Sequence, residues 1–125
     1  MALVLDAGGL IAIDRRDRAV GAMLRIAQQE AIPLRTSAAV LAQVWRAGSG
    51  QVNLARVLVG VDAAVLDGPT GKRIGELLAR TRGSDVVDGH LGLLVQDGDT
   101  VLTSDPRDIK RIIRAQGVRA TTRTV

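Results

Sequence analysis

Short apolar runs alternate with amphipathic stretches along nearly the whole chain, and this alternation constrains the fold more than any other feature of the sequence. Residues 2–5 form a continuous apolar run that reads as a fully buried strand, and residues 34–36, 63–66, 100–103 and 118–122 read as four more. Between them lie helical patterns. Residues 19–29 place Val20, Met23, Leu24 and Ala27 on one face. Ser37 is a good N-cap for a helix carrying Val40, Leu41, Val44 and Trp45. Further helices are expected over residues 52–59, 70–80, 85–96 and 105–115, while Asp67-Gly68-Pro69 reads as a turn. Strands alternating with helices in this way are the pattern of a parallel α/β sheet, and no repeat or linker divides residues 1–125, so one domain is expected.

Composition narrows the reading. Hydrophobic residues make up 46% of the 125 and charged residues 24%, which excludes disorder as the main state. Phe and Tyr are absent and Trp45 is the single aromatic, so Ala, Val, Leu and Ile must fill the core. Such side chains suit helices packed closely on a parallel sheet. Without cysteine there is no disulfide, thiolate metal site or cysteine nucleophile, and the chain fits a reducing cytoplasm. The first apolar run is cut by Asp6, which matches neither a signal peptide nor a membrane span, and no later run is long enough to span. Seventeen Lys and Arg against thirteen Asp and Glu give a net charge of +4, in keeping with a polyanionic partner.

The carboxylates carry the chemistry. In an open parallel sheet, ligands bind beyond the carboxyl ends of the strands. Asp6 ends the first strand and Asp105 follows the strand 100–103, so both leave toward the same edge. Asp85 and Asp88 stand at a helix start, about 60° apart on its surface, so both can look into one cleft. Oxygen ligands with no Cys and one His favour a hard ion, Mg2+ or Mn2+, over zinc. Acids around a hard ion on a basic protein point to phosphodiester chemistry. Each acid also has an ordinary reading. Asp85/Asp88 and Asp105/Asp108 have the spacing of an N-cap with an acid at N3, and Pro106 suits N1. Asp14/Asp17 repeats that spacing with no claim to catalysis. Asp6 stands apart, because an acid ending a buried strand is costly unless paired or metal-bound.

Three segments resemble the PIN-domain family: Leu3-Val-Leu-Asp6-Ala-Gly-Gly its opening strand and loop, Ser84-Asp-Val-Val-Asp88 its central acidic helix, and Thr100-Val-Leu-Thr-Ser-Asp105 its last acidic turn. Their order covers essentially the whole chain, at the length of VapC-like toxins of bacterial toxin–antitoxin pairs. The resemblance implies a three-layer fold, a central parallel sheet flanked by helices. It implies a single-strand endoribonuclease whose acids Asp6, Asp88 and Asp105 hold one or two Mg2+ or Mn2+ ions, with Asp85 auxiliary. It also implies an RNA substrate, a homodimer and a cognate antitoxin that blocks the cleft. One position departs from the pattern: Gln43 stands where the family usually has a glutamate. A glutamine carbonyl ligates weakly and adds no negative charge, so the alternative is a PIN-like module that binds RNA or protein with weakened or lost catalysis. A phospho-acceptor domain is a third reading, weakened because neither Lys72 nor Lys110 follows a strand.

Other residues have plainer readings. His90 falls on the apolar face of its helix and is expected to be a satisfied, partly buried histidine rather than a base. Arg107, Lys110, Arg111 and Arg114 line one side of the last helix, a solvated face unless the stripe flanks the cleft and tracks an RNA backbone. Thr103 and Ser104, at a strand end, either form ordinary hydrogen bonds or contact the phosphate. Trp45 follows the helical core pattern, which leaves no aromatic to stack bases.

Overall fold

The structure, a computed structural model, describes residues 1–125. Its order is β1 (Leu3–Leu5), α1 (Ala7–Asp14), α2 (Arg18–Gln29), β2 (Leu34–Ser37), α3 (Ala38–Val44), α4 (Val52–Leu58), β3 (Val61–Ala64), α5 (Gly68–Thr81), α6 (Val86–Leu94), β4 (Thr100–Thr103), α7 (Pro106–Ala115) and β5 (Thr121–Thr124). A single 3-10 turn, Ser49–Gln51, precedes α4.

The strands form one parallel sheet in the order β3-β2-β1-β4-β5. β1 lies at its centre, and Leu3, Val4 and Leu5 are all buried, as an apolar run covered on both faces must be. The edges are polar: β5 reads Thr-Thr-Arg-Thr and β3 carries Asp62, which discourages further strand addition. α1 packs on α2 and α4, and α5, α6 and α7 pack on one another. The chain winds outward from β1 through β2 to β3, then returns to lay β4 on the other side of β1. The sheet therefore reverses its winding between β1 and β4, and the crevice beyond their carboxyl ends is where such sheets bind ligands.

The core joins Val4, Leu5, Leu10, Val101 and Leu102 with Leu91 and Ile109. Burying each of the larger side chains contributes about 1.5–3 kcal/mol. Asp99, 2% exposed, is a second buried acid, but each of its oxygens has a donor: Ala2 N–H at 2.7 Å and Gln96 N–H at 2.8 Å. It ties the amino end of β1 to the turn before β4.

Several sequence expectations are corrected. Residues 7–14, for which the apolar pattern predicts neither strand nor helix, form α1, because Asp6 caps it and Leu10 and Ile13 bury one side. β3 begins and ends two residues earlier than expected, at Val61–Ala64, and β5 starts later, at Thr121. Asp67-Gly68-Pro69 is not a turn but the start of α5, where the Asp67 side chain accepts the Thr70 N–H at 3.0 Å and Pro69 occupies the first turn. Trp45 lies outside the core: it ends α3 and is 37% exposed.

Candidate metal centre at the carboxyl edge

Asp6 leaves β1 with extended backbone and starts α1. The residue is 9% exposed and its carboxylate has two donors. Oδ1 accepts the Ala7 N–H at 2.7 Å, and Oδ2 accepts the Thr103 hydroxyl at 2.7 Å. No cation is paired with it, since the single ion pair of the chain joins Arg111 to Asp108. Thr103 is fully buried at the end of β4, and its Oγ1 also accepts the Asp105 N–H at 3.0 Å. One hydroxyl thus links the two strand-end acids across the β1/β4 switch point. Thr103 makes hydrogen bonds, as the plainer reading had it, while Ser104 is exposed beside it.

Glycine makes this junction possible. A Cβ on Gly8 would stand 2.6 Å from the Ser104 backbone nitrogen, and one on Gly9 would stand 3.1 Å from the Leu102 carbonyl oxygen. The pair that obscured α1 in the sequence lets the start of α1 press against the β4–α7 turn.

Asp105 occupies the N-cap position of α7, yet its side chain makes no capping bond, so its carboxylate is uncommitted. Asp85 is the true N-cap of α6: its Oδ1 accepts the Val87 and Asp88 N–H groups at 2.9 and 3.1 Å. Capping therefore occupies one oxygen of Asp85 and leaves the other. Asp88, in the first turn of α6, is half-buried. Burial, and then the charges of Asp85, Asp6, Asp108 and Asp105, raise its pKa to about 6. These acids therefore share one electrostatic environment. They are not drawn into a closed shell: no three of the chain's acids and His90 are grouped tightly enough to form a ready-made metal site.

A cleft of about 190 Å3 opens beside Asp85, Asp88 and Asp108, with Arg82 and Arg111 on its walls. Arg111 thus belongs to the site's flank, partly neutralised by Asp108 at 3.4 Å, whereas Arg107, Lys110 and Arg114 are exposed and line no part of that cleft.

Asp6, Asp105 and Gln43 do not line that cleft, and Gln43 is solvent-exposed on α3. α3 is nonetheless fastened to α6. Ser37 Oγ accepts the Ala39 and Val40 N–H groups at 2.9 and 3.3 Å and lies 2.6 Å from His90 Nδ1. With two donors already on its oxygen, the hydroxyl proton is the one available to Nδ1, which places the ring proton on Nε2. His90 is 1% exposed, more deeply buried than expected, and only half satisfied because Nε2 has no hydrogen-bond partner. Burial lowers its pKa, and the nearby Val65 carbonyl offsets this only in part. It is a neutral structural histidine. Its link to Ser37, 53 positions away, has no signal in the sequence.

No family model matches this sequence, and no curated protein matches it. Its fold does match solved structures. A chain of VapBC2 from Rickettsia felis, bound to a DNA fragment from its promoter, superposes with a TM-score of 0.70 at 16% identity, covering 98% of this chain and 99% of that one. A chain of DNA-bound VapBC from Salmonella typhimurium gives a TM-score of 0.64 at 18% identity, covering 98% of each. The chain has the PIN-like α/β fold of these neighbours.

Proposed function

We propose that this protein is a divalent-metal-dependent, single-strand endoribonuclease and the toxin of a toxin–antitoxin pair. One observation carries the reading: the Thr103 hydroxyl joins Asp6 to Asp105 at the β1/β4 switch point, where Asp88 feels both charges.

The donor set fits a hard dication. It is all oxygen and holds several like charges with no cation paired to Asp6, Asp88 or Asp105; burial first, and then these charges, raise the proton affinity of Asp88, and a doubly charged ion relieves the repulsive part. Mg2+ binds through one or two carboxylates and retains several waters, so a closed shell of three acids is not required. Asp6, Asp88 and Asp105 are the proposed ligands, with the free oxygen of Asp85 auxiliary. When bound, the ion supplies Lewis acidity toward a phosphate oxygen and a lowered pKa for water.

The chain's own residues do the rest. Thr103 fixes the Asp6 carboxylate, and Gly8 admits the close approach of the β4–α7 turn. Asp88 offers an anion only once it loses its proton near pH 6. Arg111 and Arg82 set positive charge beside Asp85, Asp88 and Asp108, available to a phosphate. The antitoxin partner rests on the resemblance and on the VapBC neighbours, the homodimer on the resemblance alone, and the cytoplasmic setting on the cysteine-free composition. RNA as substrate rests on the resemblance and on the basic charge.

The second reading, a PIN-like module without catalysis, is favoured by one observation: Gln43 is neutral and solvent-exposed on α3. Purified protein incubated with total RNA and Mg2+ or Mn2+ separates the two. Cutting by the wild type that disappears in Asp6→Asn, leaving 5′-phosphate and 3′-hydroxyl ends, supports the nuclease. Cutting by Gln43→Glu alone supports the silent module.

A further inference from the structure

Away from the acids, a second cleft, of about 410 Å3, lies between the end of α1, the first turns of α2 and the start of α4. Arg16, Arg18 and Arg25 line it, and none of the three has an ion-pair partner. Asp17 is the sole acid on its wall, and one oxygen of that carboxylate is committed to capping α2 through the Val20 N–H at 3.0 Å. The wall itself is held: Asn53 Nδ2 donates to the Ile13 carbonyl at 2.6 Å and ties α4 to the end of α1. Arg18 is the first residue of α2, where the helix dipole opposes a cation. That placement does not help the helix, but it becomes favourable once an anion lies in the cleft.

The cleft shares a wall residue with a second hollow. Asp17 also borders a neighbouring hollow of about 280 Å3, whose walls include Arg15, Gly8 and Ser104. Ser104 is next to Asp105, and Gly8 is two residues from Asp6. Arg25, Arg18 and Arg16 thus line the first hollow and Arg15 the second, with Asp17 the one residue common to both walls.

We infer that this arginine-lined cleft is the path along which the phosphate backbone of a single-stranded RNA reaches Asp6 and Asp105, an inference that rests on the nuclease reading. The cations are spread over two hollows that share Asp17 instead of converging on one point, which suits a repeating polyanion better than one free phosphate. Guanidinium groups match phosphate oxygens in a planar, two-pronged geometry. No aromatic lines either hollow, so contacts go to the backbone and the path is tolerant of sequence.

The test is fluorescence anisotropy with a labelled oligouridylate in EDTA, where cleavage plays no part. Arg18→Glu/Arg25→Glu is compared with the wild type and with Lys72→Glu/Arg73→Glu on α5, whose side chains line neither hollow. The α2 variant is expected to bind at least about tenfold more weakly at 0.1 M salt, with the log–log salt slope reduced by about 1.4. The α5 variant is expected to keep wild-type affinity. Arg18→Gln/Arg25→Gln, with circular dichroism on each protein, separates loss of charge from loss of fold and should show a weaker form of the same defect. Unchanged binding by the α2 variants, an equal loss in the α5 variant, or no wild-type binding overturns the path. Metal-dependent cutting with undiminished binding by the α2 variants would sink the path and leave the nuclease standing. A binding defect without any cutting would keep the path and remove the nuclease.

Discussion

The hydroxyl of Thr103 donates to Asp6 Oδ2 at 2.7 Å while its oxygen accepts the Asp105 N–H at 3.0 Å, so one buried side chain holds the Asp6 carboxylate and the backbone of Asp105. Thr103→Val keeps the shape and removes both bonds. It leaves a buried carboxylate oxygen and a backbone N–H without this partner, at an expected cost of about 1–3 kcal/mol in urea denaturation. Thr103→Ser should recover most of that loss, and cleavage of RNA should follow the same order.

Asp88 sets a pH dependence. Its pKa rises from 3.8 in the unfolded chain to about 6 in the fold, so the folded state holds the proton more tightly. The stabilising contribution is complete below about pH 4 and is lost as pH rises to about 6. Asp88→Asn should therefore melt higher than the wild type at pH 7, with the gap closing by pH 4. Mn2+ should raise the wild-type melting temperature at pH 7.5 much more than at pH 5, and should move Asp88→Asn little at either pH.

Gly8→Ala forces a Cβ into the Ser104 backbone and should destabilise the protein by about 1–3 kcal/mol through overpacking. Gly75→Ala, in α5 with open space around it, should instead stabilise by about 0.5–1 kcal/mol. Thermal melts of the two variants should move in opposite directions.

The strand-end acids were legible in the sequence because an acid closing a buried apolar run has few cheap explanations, and β1 and β4 do place Asp6 and Asp105 at one edge. α1 was hidden because Gly8 and Gly9 lower helix propensity locally, while the reason for Gly8 is a contact with Ser104, 96 positions away in sequence. Asp67-Gly68-Pro69 has the composition of a turn, and only the downstream Thr70 N–H decides that Asp67 caps a helix. Trp45 matches the helical spacing of Leu41, but α3 stops before it and leaves it at the surface. The basic cleft was illegible for a different reason: Arg25 and Asn53 meet there only because α2 and α4 flank the end of α1.

Ser37 and His90 should behave as one unit. Ser37→Ala removes the cap of α3 and the partner of Nδ1, and a loss of about 1–2 kcal/mol is expected from the cap alone. Because burial lowers the His90 pKa below 6.5, its neutral form is favoured in the fold, and stability falls as pH drops below that value. A double-mutant cycle of Ser37→Ala and His90→Gln, followed by urea denaturation at pH 7.5, should show non-additive losses.

Whether three distant carboxylates grip one dication is answered most directly by titration calorimetry with Mn2+ at pH 7.5. Saturable uptake by the wild type, abolished in Asp6→Asn and weakened in Asp88→Asn and Asp105→Asn, is the result this account predicts. Absence of any uptake, or uptake that Asp6→Asn leaves intact, would contradict it.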